Sequence, residues 1–431
     1  MPKLPLKQKI TAIVILSLFA LAFFRLATAD TASDLKNKIN DSNNEITKLE
    51  QQIKDYQKQL DDLGNQADSL KVSILKLDIT RKKLAADIKV TENKISATNL
   101  VIEKLSLDIG NKEEKINQGK LAIAQGLREI NEADLRSILE NLLSQNNLSD
   151  MWNEVEALKS VHSQVRNQIE DLKSVKADME SNKQEAEKAK RDLVSLKSEL
   201  SDQKKINDQN TAEKNRLLKE TKNKESNYNK ILKETIAKKD AFEKDVRDYE
   251  SQLKFILDPS RLPKEGSSVF SWPLGNIRVT QFFGATVDAK RLYVSGSHNG
   301  VDFAASIGTP VKAVSGGVVL GSGDTDLTCP RASYGKWILV QHANGLSSLY
   351  GHLSLIKVSQ GQNVSAGDLV GYSGNTGYST GPHLHLSVYA SSGVQIKSLP
   401  SKSCGGRIYT MPVAPINAYL DPMLYLPAYK R

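Results

Sequence analysis

The chain is expected to be multidomain: a long antiparallel α-helical coiled coil followed by an all-β domain built on an antiparallel sheet. Three observations carry this expectation. No proline lies between Pro5 and Pro259, and of 26 glycines only those at 64, 110, 119 and 126 precede residue 258. A stretch without proline can stay helical throughout, whereas one dense in glycine is built from turns and strands. In the first region apolar residues recur every 3.5 positions, the period of a left-handed coiled coil. Near the C-terminus they alternate instead, as Leu384, Leu386 and Val388 do around His383 and His385, the period of a strand.

Composition sets the outer limits. With 39% apolar residues in a chain of 431, whole-chain disorder, collagen and a multi-span membrane protein are excluded. Two cysteines cannot build a disulfide-dense scaffold or a four-thiolate zinc site. The net charge of +9 is unevenly spread: residues 1–258 hold 45 Lys+Arg against 43 Asp+Glu, and residues 259–431 hold 14 against 7. No dense Lys/Arg run is interleaved with aromatics, which argues against a nucleic-acid partner.

The first 29 residues read as a signal peptide. Lys3, Lys7 and Lys9 precede an apolar run from Ile10 to Phe24, and Ala27-Thr28-Ala29 offers a small-x-small cleavage site. That run is shorter than the ~20 residues a spanning helix needs. The mature chain is therefore expected outside the cytoplasm (secreted, periplasmic or cell-surface), tethered to the membrane where the signal stays uncleaved. An oxidising compartment permits a disulfide between Cys329 and Cys404.

Residues 30–258 form the expected coiled coil. A 4-3 register from Leu35 to Ile123 has 26 seam positions, of which only Ser42, Arg81, Thr91, Thr98, Lys112 and Gly119 are not apolar. A second seam runs from Leu158 through Val165, Leu172, Met179, Ala186, Leu193 and Leu200, and resumes at Leu217, Tyr228, Phe242 and Tyr249. Its middle, about 201–227, is weak and expected to be looser. Two long helices in one chain fold back most simply as a hairpin. Between the seams, residues 127–157 carry more apolar positions than a seam requires (Ile130, Leu135, Ile138, Leu139, Leu142, Leu143) and form an expected helical tip. This tip either closes the hairpin or offers an apolar patch to a partner. Residues 259–267, rich in Pro, Gly and Ser, are the expected linker, and 268–431 the β domain.

Five of the residues in that domain carry chemistry. His298-Asn-Gly-Val-Asp302 supplies an imidazole and a carboxylate in a glycine-rich stretch, a donor set suited to zinc. His383 and His385, two apart on a strand, point one way while the leucines enter the core. A catalytic zinc takes three protein ligands and leaves one position open. His298, Asp302 and one of the strand pair complete that count, leaving the other strand histidine and His352 for proton chemistry. His162 and His342 stand apart and are read as structural.

These motifs, standing as HNGVDFAASIGTPVKAVSGGVV, YGHL and GPHLHLSV, resemble the lysostaphin/LytM-type zinc metallopeptidase domain of cell-wall endopeptidases, over about 268–390. The resemblance implies an all-β fold of the duplicated hybrid motif type. It implies zinc (Zn2+) held by His298, Asp302 and His385, with His352 and His383 assisting catalysis and their two roles unassigned. Leu386-Ser387 replaces the more usual Phe-Glu, and the segments 322–334 and 391–411, with Cys329 and Cys404, are elaborations. The whole arrangement is similar to the EnvC/PcsB group, in which the coiled-coil tip docks on a membrane partner. That likeness implies an FtsEX-like membrane partner acting through about 127–157, with the coiled coil controlling hydrolysis of peptidoglycan. The expected activity is zinc-dependent hydrolysis of peptide cross-links or stem peptides in wall remodelling or cell separation. The alternative is a non-catalytic activator of a peptidoglycan amidase, the role of members that have lost ligands.

Overall fold

A computed structural model describes residues 34–60, 62–63, 69–134, 148–379, 381–402 and 404–429. The expected signal peptide, and the apolar tip residues from Leu135 to Leu143, lie outside the described residues. Among the described residues no helix is long and apolar enough to cross a membrane. By its contacts the chain divides into two compact units, Met1–Leu49 with Lys89–Leu200, and Glu50–Ile88 with Ser201–Arg431.

The helices are α1 (residues 34–60), α2 (Leu70–Asp134), α3 (Leu148–Thr221), α4 (Glu225–Gln252) and a short α5 (Val287–Leu292). Within the first unit α2 and α3 run antiparallel, as the seams predict. Glu113 pairs with Lys183 at 3.0 Å, while Gly119 and Gly126 face Leu172 and Val165, where a Cβ would collide. The buried side chains of these two helices include Val90, Thr91, Leu105, Ile116, Ile130, Val165, Ala186 and Ala189. Full burial of each large aliphatic stabilises by about 1.5–3 kcal/mol.

In the second unit the same two helices stay paired. Asn210 Nδ2 donates to the Leu77 carbonyl at 2.9 Å, Lys214 meets Asp78, and Leu70 packs with Leu217 and Tyr228. The stretch 201–221, which the sequence reads as loose, is thus continuous helix. Polar side chains hold it where apolar seam residues are missing, and Leu84 and Ile206 close on Tyr372 of the β domain. The helix stops at Thr221 because Lys222 and Asn223 take positive φ (51° and 57°). Glu225 then accepts from the Leu70 backbone N–H at 3.0 Å, satisfying a donor that the start of α2 would otherwise leave unpaired.

The C-terminal region contains β1 (Val279–Gln281), β2 (Val301–Ala304), β3 (Pro310–Lys312), β4 (Gly317–Asp324), β5 (Lys336–His342), β6 (Leu346–Ile356), β7 (Asn363–Val364), β8 (Leu369–Ser373), β9 (His383–Ala390), β10 (Gln395–Pro400), β11 (Ile408–Val413) and β12 (Tyr419–Leu420). The main sheet has the order β1-β2-β9-β6-β5-β4-β7, with β12 on β9 and β8 joining β3 to β6; every pairing is antiparallel. Strand alternation divides its faces. Leu384, Leu386 and Val388 enter one core with Val301, Phe303 and Tyr350. The opposite core holds Leu339, Leu349 and Tyr389, together with Phe242 and Val246 of α4. The histidine face of β9 is therefore the face on which α4 lies.

Two further features shape that face. Cys329, after β4, is joined by a disulfide to Cys404 in the β10–β11 hairpin, with Cα atoms 5.7 Å apart. The segment expected as a linker rests on the β domain: a 3-10 turn spans Pro259–Arg261, and the Gly266 N–H donates to the Leu424 carbonyl at 2.7 Å.

Candidate metal centre

Register explains how distant residues converge. In the β2–β9 ladder Asp302 sits directly opposite His385 and Ala304 opposite His383, and in the β6–β9 ladder Gly351 sits opposite His385. His298 precedes β2 and is held by a bridge to Gly284, with hydrogen bonds in both directions at 2.8 and 3.0 Å. Gly300 between the two motif residues lets the backbone pass: a Cβ there would meet the Leu386 carbonyl at 2.5 Å and His385 Cε1 at 2.7 Å.

His298, Asp302 and His385 bring one ligand atom each within 4.8 Å of the others, all buried. His385 Nδ1 lies 2.8 Å from Asp302 Oδ1 and 3.1 Å from His298 Nε2, and His298 Nε2 lies 3.3 Å from the same carboxylate oxygen. The other ring nitrogens are engaged outward, His298 Nδ1 with the Phe282 carbonyl (3.2 Å) and His385 Nε2 with Ser387 Oγ (2.8 Å). A carbonyl only accepts, so in the neutral ring His298 Nδ1 carries the proton and Nε2 offers the inward lone pair that an ion would take. Two imidazole nitrogens and one carboxylate oxygen, buried and convergent, fit a zinc-type ion, and outer partners of this kind orient such ligands.

His352 and His383 complete the group, with ring centroids 4.6 Å apart. His352 Nδ1 faces the Thr376 carbonyl and His383 Nδ1 the Gly381 carbonyl, each at 2.8 Å. In both rings Nε2 is thereby left as the acceptor when the ring is neutral. His352 sits where β6 departs from its ladder with β5, and its φ is +59°. Such a conformation in a non-glycine residue costs of order 1 kcal/mol and clusters at functional sites.

Electrostatics follow from burial. It pushes the Asp302 carboxyl up, but the facing imidazoles of His383 and His298 and the hydrogen bonds from His298 and His385 outweigh it, holding Asp302 well below the usual carboxylate range. Burial also pushes His352 well below the ordinary imidazole value, helped by His383 and His385, and lowers His385. The two histidines read as structural stay apart: His342 bonds the Gly316 carbonyl and Ser348, and His162 is exposed on α3.

A cavity of about 240 Å³ opens beside the group, lined by His298, His352, His385, Tyr293, Tyr334 and Tyr378 on one side. Its other wall is α4, through Lys239, Phe242, Glu243, Val246 and Glu250. Phe242 packs against Tyr409 with ring centroids 4.6 Å apart and planes tilted by 58°. Glu250 accepts from Tyr419 Oη (2.7 Å) and the Ala414 N–H (3.1 Å), and burial raises its carboxyl to about 7 against those bonds.

The five residues singled out in the sequence lie together here, whereas no motif in the sequence marks the surrounding shell. Ser387, a departure from the more usual Glu, contacts His385 through its hydroxyl. Tyr293 stacks parallel to His298 at 5.3 Å, interplanar 7°, and no spacing rule marks it. The available signal for α4 was its period: the buried positions 239, 242, 246 and 250 step by three and four around a 3.6-residue helix on a globular surface. The seven-residue register instead joins Phe242 to Tyr249 and continues to Ile256, which is 92% exposed.

A buried His-Asp-His cluster on an antiparallel β domain defines a candidate mononuclear metal centre with two further histidines at hand. Residues 296–397 match the profile of Peptidase family M23: the chain carries an M23 peptidase domain in its C-terminal region. The chain is 41% identical over 113 residues to the DD-carboxypeptidase/endopeptidase Mpg of Neisseria meningitidis serogroup B, a match over 26% of this chain and 24% of that protein. It is 48% identical over 88 residues to the peptidoglycan DD-endopeptidase ShyA of Vibrio cholerae serotype O1, over 20% and 19%. The matched part thus spans a quarter or less of these relatives. Among solved structures, the lysostaphin catalytic domain of Staphylococcus simulans aligns over 35% of this chain and 92% of that one, at 30% identity and TM-score 0.26.

Proposed function

We propose that the chain is a zinc-dependent endopeptidase that hydrolyses peptide cross-links or stem peptides of peptidoglycan outside the cytoplasm, and that α4 restrains it. The observation that carries the reading is the convergence of His298, Asp302 and His385 beside the His352–His383 pair. The names of the M23 relatives supply the substrate class.

His298 Nε2, Asp302 Oδ1 and His385 Nδ1 would hold the ion, and Ser387 and the Phe282 carbonyl would fix the two rings. Zinc would supply Lewis-acid polarisation of the scissile carbonyl and acidify an attacking water toward pH ~7. His352 and His383 present Nε2 to the same space and divide two tasks, taking the proton of the attacking water and returning one to the leaving amine. Because burial keeps His352 neutral, it holds a lone pair at neutral pH. The surrounding tyrosines limit the water that reaches the peptide bond.

Restraint is supported by the position of α4, which walls the cavity and seats Phe242, Val246 and Glu250 on the histidine face. Action of a membrane partner through 127–157 would lift that wall. The test is release of new amino groups from purified peptidoglycan by the zinc-loaded full chain, with Phe242 intact and as Phe242→Ala. Chelator-sensitive release, faster in the variant, is expected. No release from either folded, zinc-loaded protein would overturn the enzyme reading in favour of an amidase activator.

A further inference from the structure

The cleft face of α4 carries a lysine, which is unusual for a side chain only 3% exposed. Burying an ammonium is costly unless charge and hydrogen bonds replace its water. Lys239 Nζ pairs with Asp240 (3.1 Å) and Glu243 (3.0 Å) of its own helix. These two carboxylates travel with α4, Glu243 also accepting from the Ser295 N–H of the β domain at 3.3 Å. The β domain supplies three other groups. The Leu292 carbonyl, at the C-terminal end of α5, accepts from Nζ; the last carbonyls of a helix lack intrahelical donors and sit at the negative end of its dipole. The ring of Tyr378 lies 4.5 Å from Nζ and that of Tyr293 5.1 Å, both within cation–π range. Tyr293 in turn stacks on His298, so the ammonium lies one ring away from the candidate metal centre.

We propose that Leu292, Tyr293 and Tyr378 form a subsite for a primary ammonium on a flexible alkyl stem, and that Lys239 is its internal occupant. When α4 leaves, the subsite takes the free amine of the substrate peptide, so the domain selects peptides whose amine is unacylated. The inference rests on the peptidase reading for the word substrate, but its test needs neither zinc nor turnover. Two kinds of amine share this chemistry, the side chain of a diamino acid and a free peptide N-terminus. The lysine-like stem of the present occupant favours the former.

The experiment uses the metal-free full chain as Lys239→Ala/Phe242→Ala, which empties the subsite and loosens α4. Calorimetry measures Kd for three forms of one lysine-containing tetrapeptide: side-chain amine free, N-terminal amine free, and both acetylated. The expected result is a Kd about tenfold lower for the free side-chain amine than for the doubly acetylated peptide. Adding Tyr378→Leu, which leaves the stack on His298 in place, should bring that ratio within about twofold. Tighter binding of the N-terminal amine alone would support the subsite and assign the other source. Equal affinities, a preference that survives Tyr378→Leu, or binding of none of the three would overturn it. A normal preference with no hydrolysis by the zinc-loaded chain would leave the subsite standing and remove the peptidase reading instead. Intactness of the β domain in each variant is read from its thermal transition.

Discussion

Helices α3 and α4 are neighbours in sequence and both highly charged, yet they bury different things. Along α3 the buried residues are small or aliphatic, Val165, Ala186, Ala189, Ile206 and Leu217, with three polar exceptions: Asp202 and Asn210, which bond the β domain and α2, and Thr221, which bonds the Leu217 carbonyl of its own helix. On α4 they include Lys239 and Glu250 beside Phe242 and Val246. A helix that pairs with another helix needs a narrow apolar stripe. A helix that rests on the rim of the candidate metal centre must meet the charges and donors found there. The contrast teaches that the polar residues, and not the apolar ones, distinguish a spacer helix from a cover.

The largest test of the contrast lies at the face α4 covers. Replacing Asp302 by Ala should remove zinc retention and lower hydrolysis by on the order of a thousandfold or more, since losing even an outer partner of a ligand costs about 10–100-fold. Metal content after dialysis and amino-group release measure both. Next comes Phe242→Ala, which should loosen α4 by about 3–5 kcal/mol, the usual cost of emptying a buried aromatic site. Amide exchange along 239–250 would report it, and unchanged protection would mean that α4 is not seated as described.

Glu250 gives the comparison a pH axis. Its carboxyl rises from an ordinary 4.5 to about 7 when buried, so the seated form binds the proton more tightly than the free helix. The stabilisation is full below about pH 4.5 and is lost as pH rises to about 7, up to ~3 kcal/mol over that window. Glu250→Gln should flatten the dependence of α4 protection on pH while keeping an acceptor for Tyr419. Ser387→Ala should weaken zinc affinity by about 10–100-fold, the scale for an outer partner, measured by competition with a chromogenic chelator. The smallest effect belongs to α3: His162→Ala, on an exposed helix position, should change the melting free energy by less than about 0.5 kcal/mol and leave metal binding untouched.

Much of this molecule was legible in its sequence. The proline-free seam announced the hairpin, and in HLH a spacing of two fixes that both imidazoles share a face, whereas the choice of His385 with His298 and Asp302 as ligands came from the family resemblance. What stayed hidden depends on tertiary proximity. Tyr293 and Tyr378 reach the cleft from a short helix end and a loop, where no period operates. Polar residues of α3, Asn210 and Lys214, replaced the apolar seam through bonds to α2, so a weak pattern still gave a continuous helix. The role of α4 was hidden because its register shifts from 3.5 to 3.6 within a few turns, a change that two or three residues cannot reveal without knowing what lies beneath.

The left-handed backbone at His352 has a consequence for substitution. Most substitutions at a buried polar residue damage packing and hydrogen bonding together. Here glycine, or more weakly asparagine, accepts a φ of +59° more readily than histidine does. Losing the imidazole to glycine would relieve strain of order 1 kcal/mol within the sheet. That relief would be set against the buried imidazole's lost packing and its bond to the Thr376 carbonyl, so the histidine is held at this turn by its contacts against the preference of its own backbone.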